Sequence, residues 1–145
     1  MNAHMTLSLA NRIIAAALQK GDELRLKPLT IAVLDRGGHL VALQRQDGAS
    51  ILRPQIACGK AYGALALGVN SRAVAAMAAE RPSFIAALGP LADRGIVPAA
   101  GGVLVTGQDK GIIGAVGVTG DTSDNDETCA IEGIRAAGLV AMATP

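Results

Sequence analysis

Two histidines occur in the 145 residues, His4 near the start and His39 directly after Gly37-Gly38. Histidine is both a metal ligand and a proton carrier near neutral pH. With only two of them, a histidine-based triad or a multi-histidine metal centre is hard to build in one subunit, and no G-x-S-x-G nucleophile motif is present. A single axial ligand needs only one histidine. His39 is therefore the candidate metal ligand, a plain turn residue being the alternative, with Cys58, Tyr62 and Met77 as secondary ligand candidates.

Lys60 lies in the apolar run IACGKAYGALALG. An ammonium there must snorkel to water, pair with a carboxylate or line a pocket. The preceding Gly59 invites a phosphate-loop reading, which fails because Pro54 stands where the motif needs glycine and Ala61 where it needs a hydroxyl. The acidic stretch Asp121–Glu127 places Asp121, Ser123, Asn125 and Glu132 at calcium-loop positions one, three, five and twelve. Position six is Asp126, where the loop must turn on glycine. Two readings remain: a helix N-terminus with Ser123 and Asp126 as a capping box, or a carboxylate, Asp121 among them, that also faces a site. Gly111, Gly114, Gly117 and Gly120 recur every third residue. On a strand this period opens gaps on both faces, for a ligand, a neighbouring subunit or a tightly packed helix.

These groups need elements to hold them. Helical spacing of Ala10, Ile13, Ile14, Ala17 and Leu18 predicts a first helix over 6–20, with Thr6 or Ser8 as cap. Strands are expected at Leu29–Asp35 and His39–Arg45, joined by a tight turn at Arg36-Gly37-Gly38. A central helix over 53–67 and a short one over 71–79 follow; residues 80–95, with Pro82, Gly89, Pro90 and Gly95, carry no clear pattern. Residues 102–106 and 111–118 read as a second hairpin. The run TCAIEGIRAAGLVAM forms a last helix. Hairpins outnumber crossovers, which favours an α+β fold with an antiparallel sheet covered by helices, built as a single domain over 1–145.

Composition narrows the function. Thirteen basic against twelve acidic side chains leave a net charge of +1, which steers no nucleic acid. Tyr62 and Phe84 are the only aromatic residues, so stacking platforms are nearly absent. No uniformly apolar stretch is long enough to span a membrane, and Met1–Ala10 does not read as a signal peptide. The expected location is the cytoplasm. Cys58 and Cys129 lie in no C-x-x-C or Cys/His cluster and read as two buried thiols.

The segments IAVLDRGGHLVALQRQDGA (Ile31–Ala49), GKAYGALALG (Gly59–Gly68), GGVLV (Gly101–Val105) and GIIGAVGVTGDTSDNDE (Gly111–Glu127) resemble, in order and over nearly the whole chain, the GlcG/HbpS-like family, called haem-degrading and similar to the C-terminal domain of PduO-type proteins. The resemblance implies a profilin-like fold, a central antiparallel sheet flanked by helices, assembly into homo-oligomers and a small-ligand role. Some relatives bind haem; others accompany diol, glycerol or glycolate metabolism. Ala99 and Ala100 stand in IVPAAGGV where relatives often carry a Pro-Phe-Gly-Gly-like segment, which makes that wall smaller and less aromatic.

Two functions from different classes follow. The first is a small-ligand-binding protein for haem or a related tetrapyrrole, or another small metabolite, with His39 on the metal and Arg36, Lys60 and Asp121 among the ligand-binding residues. The second is a small isomerase or lyase, in which Asp35 or an acid of 121–127 moves a proton while Lys60 or His39 polarises a carbonyl. An accessory protein of a larger enzyme is a further alternative.

Overall fold

The computed structural model describes residues 3–145, so residues 1 and 2 of the start read above lie outside the described residues. Helix α1 (Leu7–Glu23) starts on Thr6, whose hydroxyl accepts from the Leu9 N–H, as the capping pattern predicts. It runs three residues past the expected end because Gly21 is buried inside it. Strands β1 (Thr30–Asp35) and β2 (Leu40–Arg45) form an antiparallel hairpin. Helix α2 (Arg53–Leu67) holds Pro54 in its first turn and ends on Gly68 in the left-handed region.

Helix α3 (Ser71–Glu80) forms where the short helix over 71–79 is expected, and helix α4 (Pro82–Leu88), followed by a 3₁₀ turn at Gly89–Leu91, occupies the stretch 80–95 that carries no clear pattern. Strands β3 (Gly102–Thr106) and β4 (Ile112–Thr119) pair antiparallel, and helix α5 (Ser123–Ala136) returns across the sheet. The last helix begins earlier and ends earlier than the run from Thr128 to Met142 predicts. Gly138 takes φ +78 and the N–H groups of Gly138 and Leu139 close onto Arg135 and Ile134, so the chain turns and Val140–Ala141 (β5) pairs with β3. The sheet order is β2-β1-β4-β3-β5, antiparallel throughout. The α+β expectation holds.

Alternation of side chains divides the core. Ile31, Val33, Val103, Val105, Val116 and Val118 face α1 and α5 in one cluster with Ile13, Ile14 and Ile134. Leu34, Leu104 and Ala115 face α2, meeting Ala61 and Ala64. On that second face Ala32, Gly117 and Gly102 lie side by side on three adjacent strands. A Cβ at Gly117 would fall on the Ala57 carbonyl, and one at Gly102 on the Lys60 carbonyl. The three-residue glycine period thus serves, at Gly117, the close packing of a helix backbone on the sheet.

This predicts a sharp contrast between glycines. Gly117→Ala should lower unfolding free energy by about 2–3 kcal/mol, since neither backbone can yield. Gly89 has open space around its α-carbon and a helical φ of −52, so Gly89→Ala should be neutral or stabilise by roughly 0.5 kcal/mol. Urea denaturation of both variants checks the pair.

Candidate functional site

The proposed site residues fall at two ends of the sheet. β1 pairs Asp35 with Gly114 and Ile31 with Val118, so the turn bearing His39 and the carbonyl that meets Lys60 are separated by four residues of β4, about 13 Å along the strand. His39 and Arg36 lie at one end, Lys60 and Asp121 at the other.

At the Lys60 end the chemistry is internal. Lys60 is only 3% exposed, and its ammonium donates to the Val118 carbonyl at 3.0 Å and to Asp126 Oδ2 at 3.2 Å. Of the three fates open to this lysine, the structure shows pairing with a carboxylate. Burial lowers the Lys60 pKa and raises that of Asp126; each is partly countered by the partner. The other Asp126 oxygen accepts the Asp121 N–H, while Thr122, not Ser123, caps α5 by accepting from the Asn125 N–H. The capping box read at Ser123 and Asp126 is therefore corrected: Thr122 holds the extended backbone from which an N-cap side chain can reach back, and Asp126 is turned inward to Lys60. Asp121 accepts from Asn125, Thr122 and Lys27, and these bonds hold its carboxyl down at about 2.

At the other end Asp35 Oδ1 accepts the N–H groups of Gly37 and His39, and Gly38 turns with φ +82 against the Tyr62 ring. This turn presents an exposed His39. It borders a depression of about 250 Å³ lined by Gly38, His39, Tyr62, Asp93 and Arg94. Through the shared Asp93 and Arg94 it adjoins a cleft of about 420 Å³ whose further walls are Leu40, Leu43, Pro54, Gln55 and Cys58. Clefts of roughly 300–1,000 Å³ are typical of small-molecule sites.

The far wall exists because α2 is small on that side. A Cβ at Gly59 or Gly63 would press on Val97 or Ile96, and the Val97 N–H donates to the Gly59 carbonyl. The loop thereby lies on α2 and carries Arg94 over Cys58. Arg94 Nε donates to the Gly38 carbonyl at 2.9 Å, tying loop to turn. Burial pushes the Cys58 thiol up, with the Arg94 guanidinium opposing; burial pushes Cys129 up to about 11. Both thiols are buried and free, as read from the sequence.

The residues the sequence named are thus brought together only in part. His39, Tyr62 and Cys58 border the joined cleft, Lys60 and Asp121 work elsewhere, and Met77 sits on α3 and lines neither depression. Asp35, offered as a proton carrier, is engaged in the turn. Arg94 was not singled out; the signal was an Asp-Arg pair between Pro90 and Gly95 in an otherwise apolar connection. Among the described residues no group of three or more His, Cys, Asp or Glu could hold a metal ion, and no helix is long and apolar enough to cross a membrane.

A five-stranded antiparallel sheet with helices on both faces, and an open cleft beside the first hairpin, make this an α+β domain. Residues 5–135 match the family model of the haem degrading protein HbpS-like group, and the chain belongs to that family. It is 31% identical over 128 residues, 88% of each chain, to an uncharacterised 15.0 kDa protein of the dhaT-dhaS intergenic region of Citrobacter freundii. Among solved structures it is similar to the Klebsiella pneumoniae protein ORFY (TM-score 0.82, 26% identity, 95% of this chain and 94% of that one). It is similar also to HbpS (TM-score 0.77, 27% identity, 95% and 90%). The PduOC:heme complex shares the fold at TM-score 0.85 with 18% identity, over 97% and 100% of the chains.

The buried pair yields a pH-dependent expectation. Lys60→Met strands the Asp126 carboxylate and should cost about 3–5 kcal/mol at pH 8. A carboxyl whose folded pKa is raised favours the fold below its unfolded value and loses that contribution as pH climbs through the folded value. Without Lys60 the rise is larger, so the deficit of Lys60→Met should shrink at pH 5, and Lys60→Met/Asp126→Leu should recover most of it. Urea titrations of the three proteins at both pH values decide this. Asp121 acts with the opposite sign. Its contribution is complete above the ordinary carboxylate range and is lost as pH falls from about 4 to about 2, so Asp121→Asn should flatten the stability curve there in acid denaturation.

Proposed function

We propose that this protein binds a small ligand in the joined cleft beside the first hairpin, and that the ligand is haem or a related tetrapyrrole with His39 on the metal. The carrying observation is the position of His39 at the mouth of a cleft whose larger part is walled by Leu40, Leu43 and Pro54. The family to which the chain belongs supports it, as does the haem complex of a protein that shares its fold.

The residues present fit such a group in an open site. An exposed imidazole supplies a nitrogen donor, the aliphatic wall offers an apolar surface for a ring edge, and Arg94 and Arg36 supply cations for peripheral carboxylates. Haem bound there supplies a redox-active iron. The chain's own part is to hold the imbedded edge, to position His39 through the Asp35-braced turn, and to leave the opposite edge in solvent or against a second copy of the chain. A homo-oligomer in which another subunit covers the open side belongs to this reading. The isomerase or lyase reading receives less from the geometry, because Lys60 and His39 stand at opposite ends of the sheet.

A haemin difference-spectrum titration tests the proposal. The wild-type protein should give a saturable Soret shift that His39→Ala abolishes while its melting temperature is unchanged. Equal, unsaturable spectra in both proteins would remove haem and His39 from the account.

A further inference from the structure

We infer that Arg94 is the anion anchor of the cleft, and that the cleft takes a monocarboxylate joined to an apolar body. This rests on the reading of the cleft as a ligand site and deepens it. Three observations carry it.

The first is how the guanidinium is held. Nε is committed to the Gly38 carbonyl at 2.9 Å, and that carbonyl belongs to a turn fixed by Asp35 and packed on Tyr62. The plane of the guanidinium is thus set by backbone, and a fork preset in this way loses little freedom on gripping a carboxylate.

The second is its lack of a carboxylate partner. The ion pairs among the described residues are Lys20–Glu23, Lys60–Asp126 and the pair from Arg72 to Asp124 and Glu127. Arg94 is in none of them, although Asp93 is its neighbour in sequence and lines the same two depressions. A cation braced by the fold and left unpaired at the junction of two depressions is placed to receive a ligand's charge.

The third is the division of the walls. Leu40, Leu43 and Pro54 lie in the larger cleft with Arg94 at its boundary to the smaller, polar depression at Gly37–His39. An amphipathic ligand would lay its apolar body along the former with its carboxylate at Arg94. The Asp93 carboxylate at the same boundary opposes a second negative charge and favours monoanions. Two sources share this chemistry: an aliphatic acid, and one propionate of a tetrapyrrole.

The probes are hexanoate against 1-hexanol, and haemin against its dimethyl ester, titrated by calorimetry and absorbance into wild type, Arg94→Gln, Arg94→Lys, Asp93→Asn and His39→Ala. Saturable binding of hexanoate but not hexanol, weakened at least tenfold by Arg94→Gln, partly kept by Arg94→Lys and tightened by Asp93→Asn, supports the anchor with an aliphatic acid as source. Binding of haemin but not its ester, with the same dependence on Arg94, supports it with the tetrapyrrole as source. Unchanged melting temperatures show that the variants fold. Equal binding of acid and alcohol, or of haemin and its ester, overturns the anchor, as does indifference to Arg94→Gln or absence of binding by either carboxylate. A haemin shift that depends on His39 but not on Arg94 would leave the proposed function standing and remove only this inference. Hexanoate binding that depends on Arg94, without any haemin shift, would do the reverse.

Discussion

The architecture depends on how near α2 can come to the sheet. Gly117 and Gly102 face each other on β4 and β3 with Ala32 beside them, and the carbonyls of Ala57 and Lys60 occupy the space their side chains would need. A helix normally rests on a sheet through interlocked side chains; here backbone rests on backbone over these residues. Dispersion over so short a gap is strong and steeply dependent on distance, so the helix has little freedom to slide. Everything borne by α2 inherits that position: Lys60 toward β4 and α5, Gly59 and Gly63 toward the loop after α4, Pro54 and Cys58 toward β2.

The same economy of side chains explains the cleft. With one Tyr and one Phe in the chain, no large ring fills the angle between β2 and α2, and the loop carrying Asp93 and Arg94 crosses above it instead. Because Gly59 and Gly63 are bare, that loop settles onto the helix flank, not out in solvent. Charge is then sorted by position. The cation under the loop's far neighbour, Lys60, is sealed against Asp126 where the sheet is fully covered, whereas Arg94 stays at the surface, braced by a carbonyl. One contributes to holding α5 on the fold, the other is left available. Burial differences of this kind, more than residue type, decide which of two basic side chains in a protein is structural.

Much of the fold was legible in the sequence. The limits of α2 and β3 follow from Pro54, Gly68 and the β-branched run after Gly101-Gly102, signals that act locally. The end of α5 was not legible, because AAGLVAM keeps helical periodicity and only the left-handed Gly138 and the free edge of β3 turn it into a strand. For the site, His39 was visible as a lone histidine beside two glycines. Arg94 was not, since its importance comes from a carbonyl 56 positions earlier in the chain. Lys60 was recognised as anomalous, and the acidic stretch as a helix start, yet nothing local said that the two would meet across the face of β4.

An open cleft with few aromatic walls has a consequence for recognition. Apolar burial on a half-exposed surface supplies modest affinity and little orientation, because it is roughly proportional to area and has no direction. Selectivity in such a site must come from its few fixed polar groups, whose loss of a partner is costly and whose geometry is specific. In this chain those groups are an imbalanced set: one imidazole raised on a braced turn, one guanidinium tied to that same turn, and one carboxylate beside it. Gly38 links the turn to Arg94 and packs on Tyr62, so the backbone that carries His39 and the guanidinium of Arg94 are tied to one turn. On the proposed reading, a ligand that engages both would be selected by the spacing between its metal or donor-accepting centre and its anionic arm.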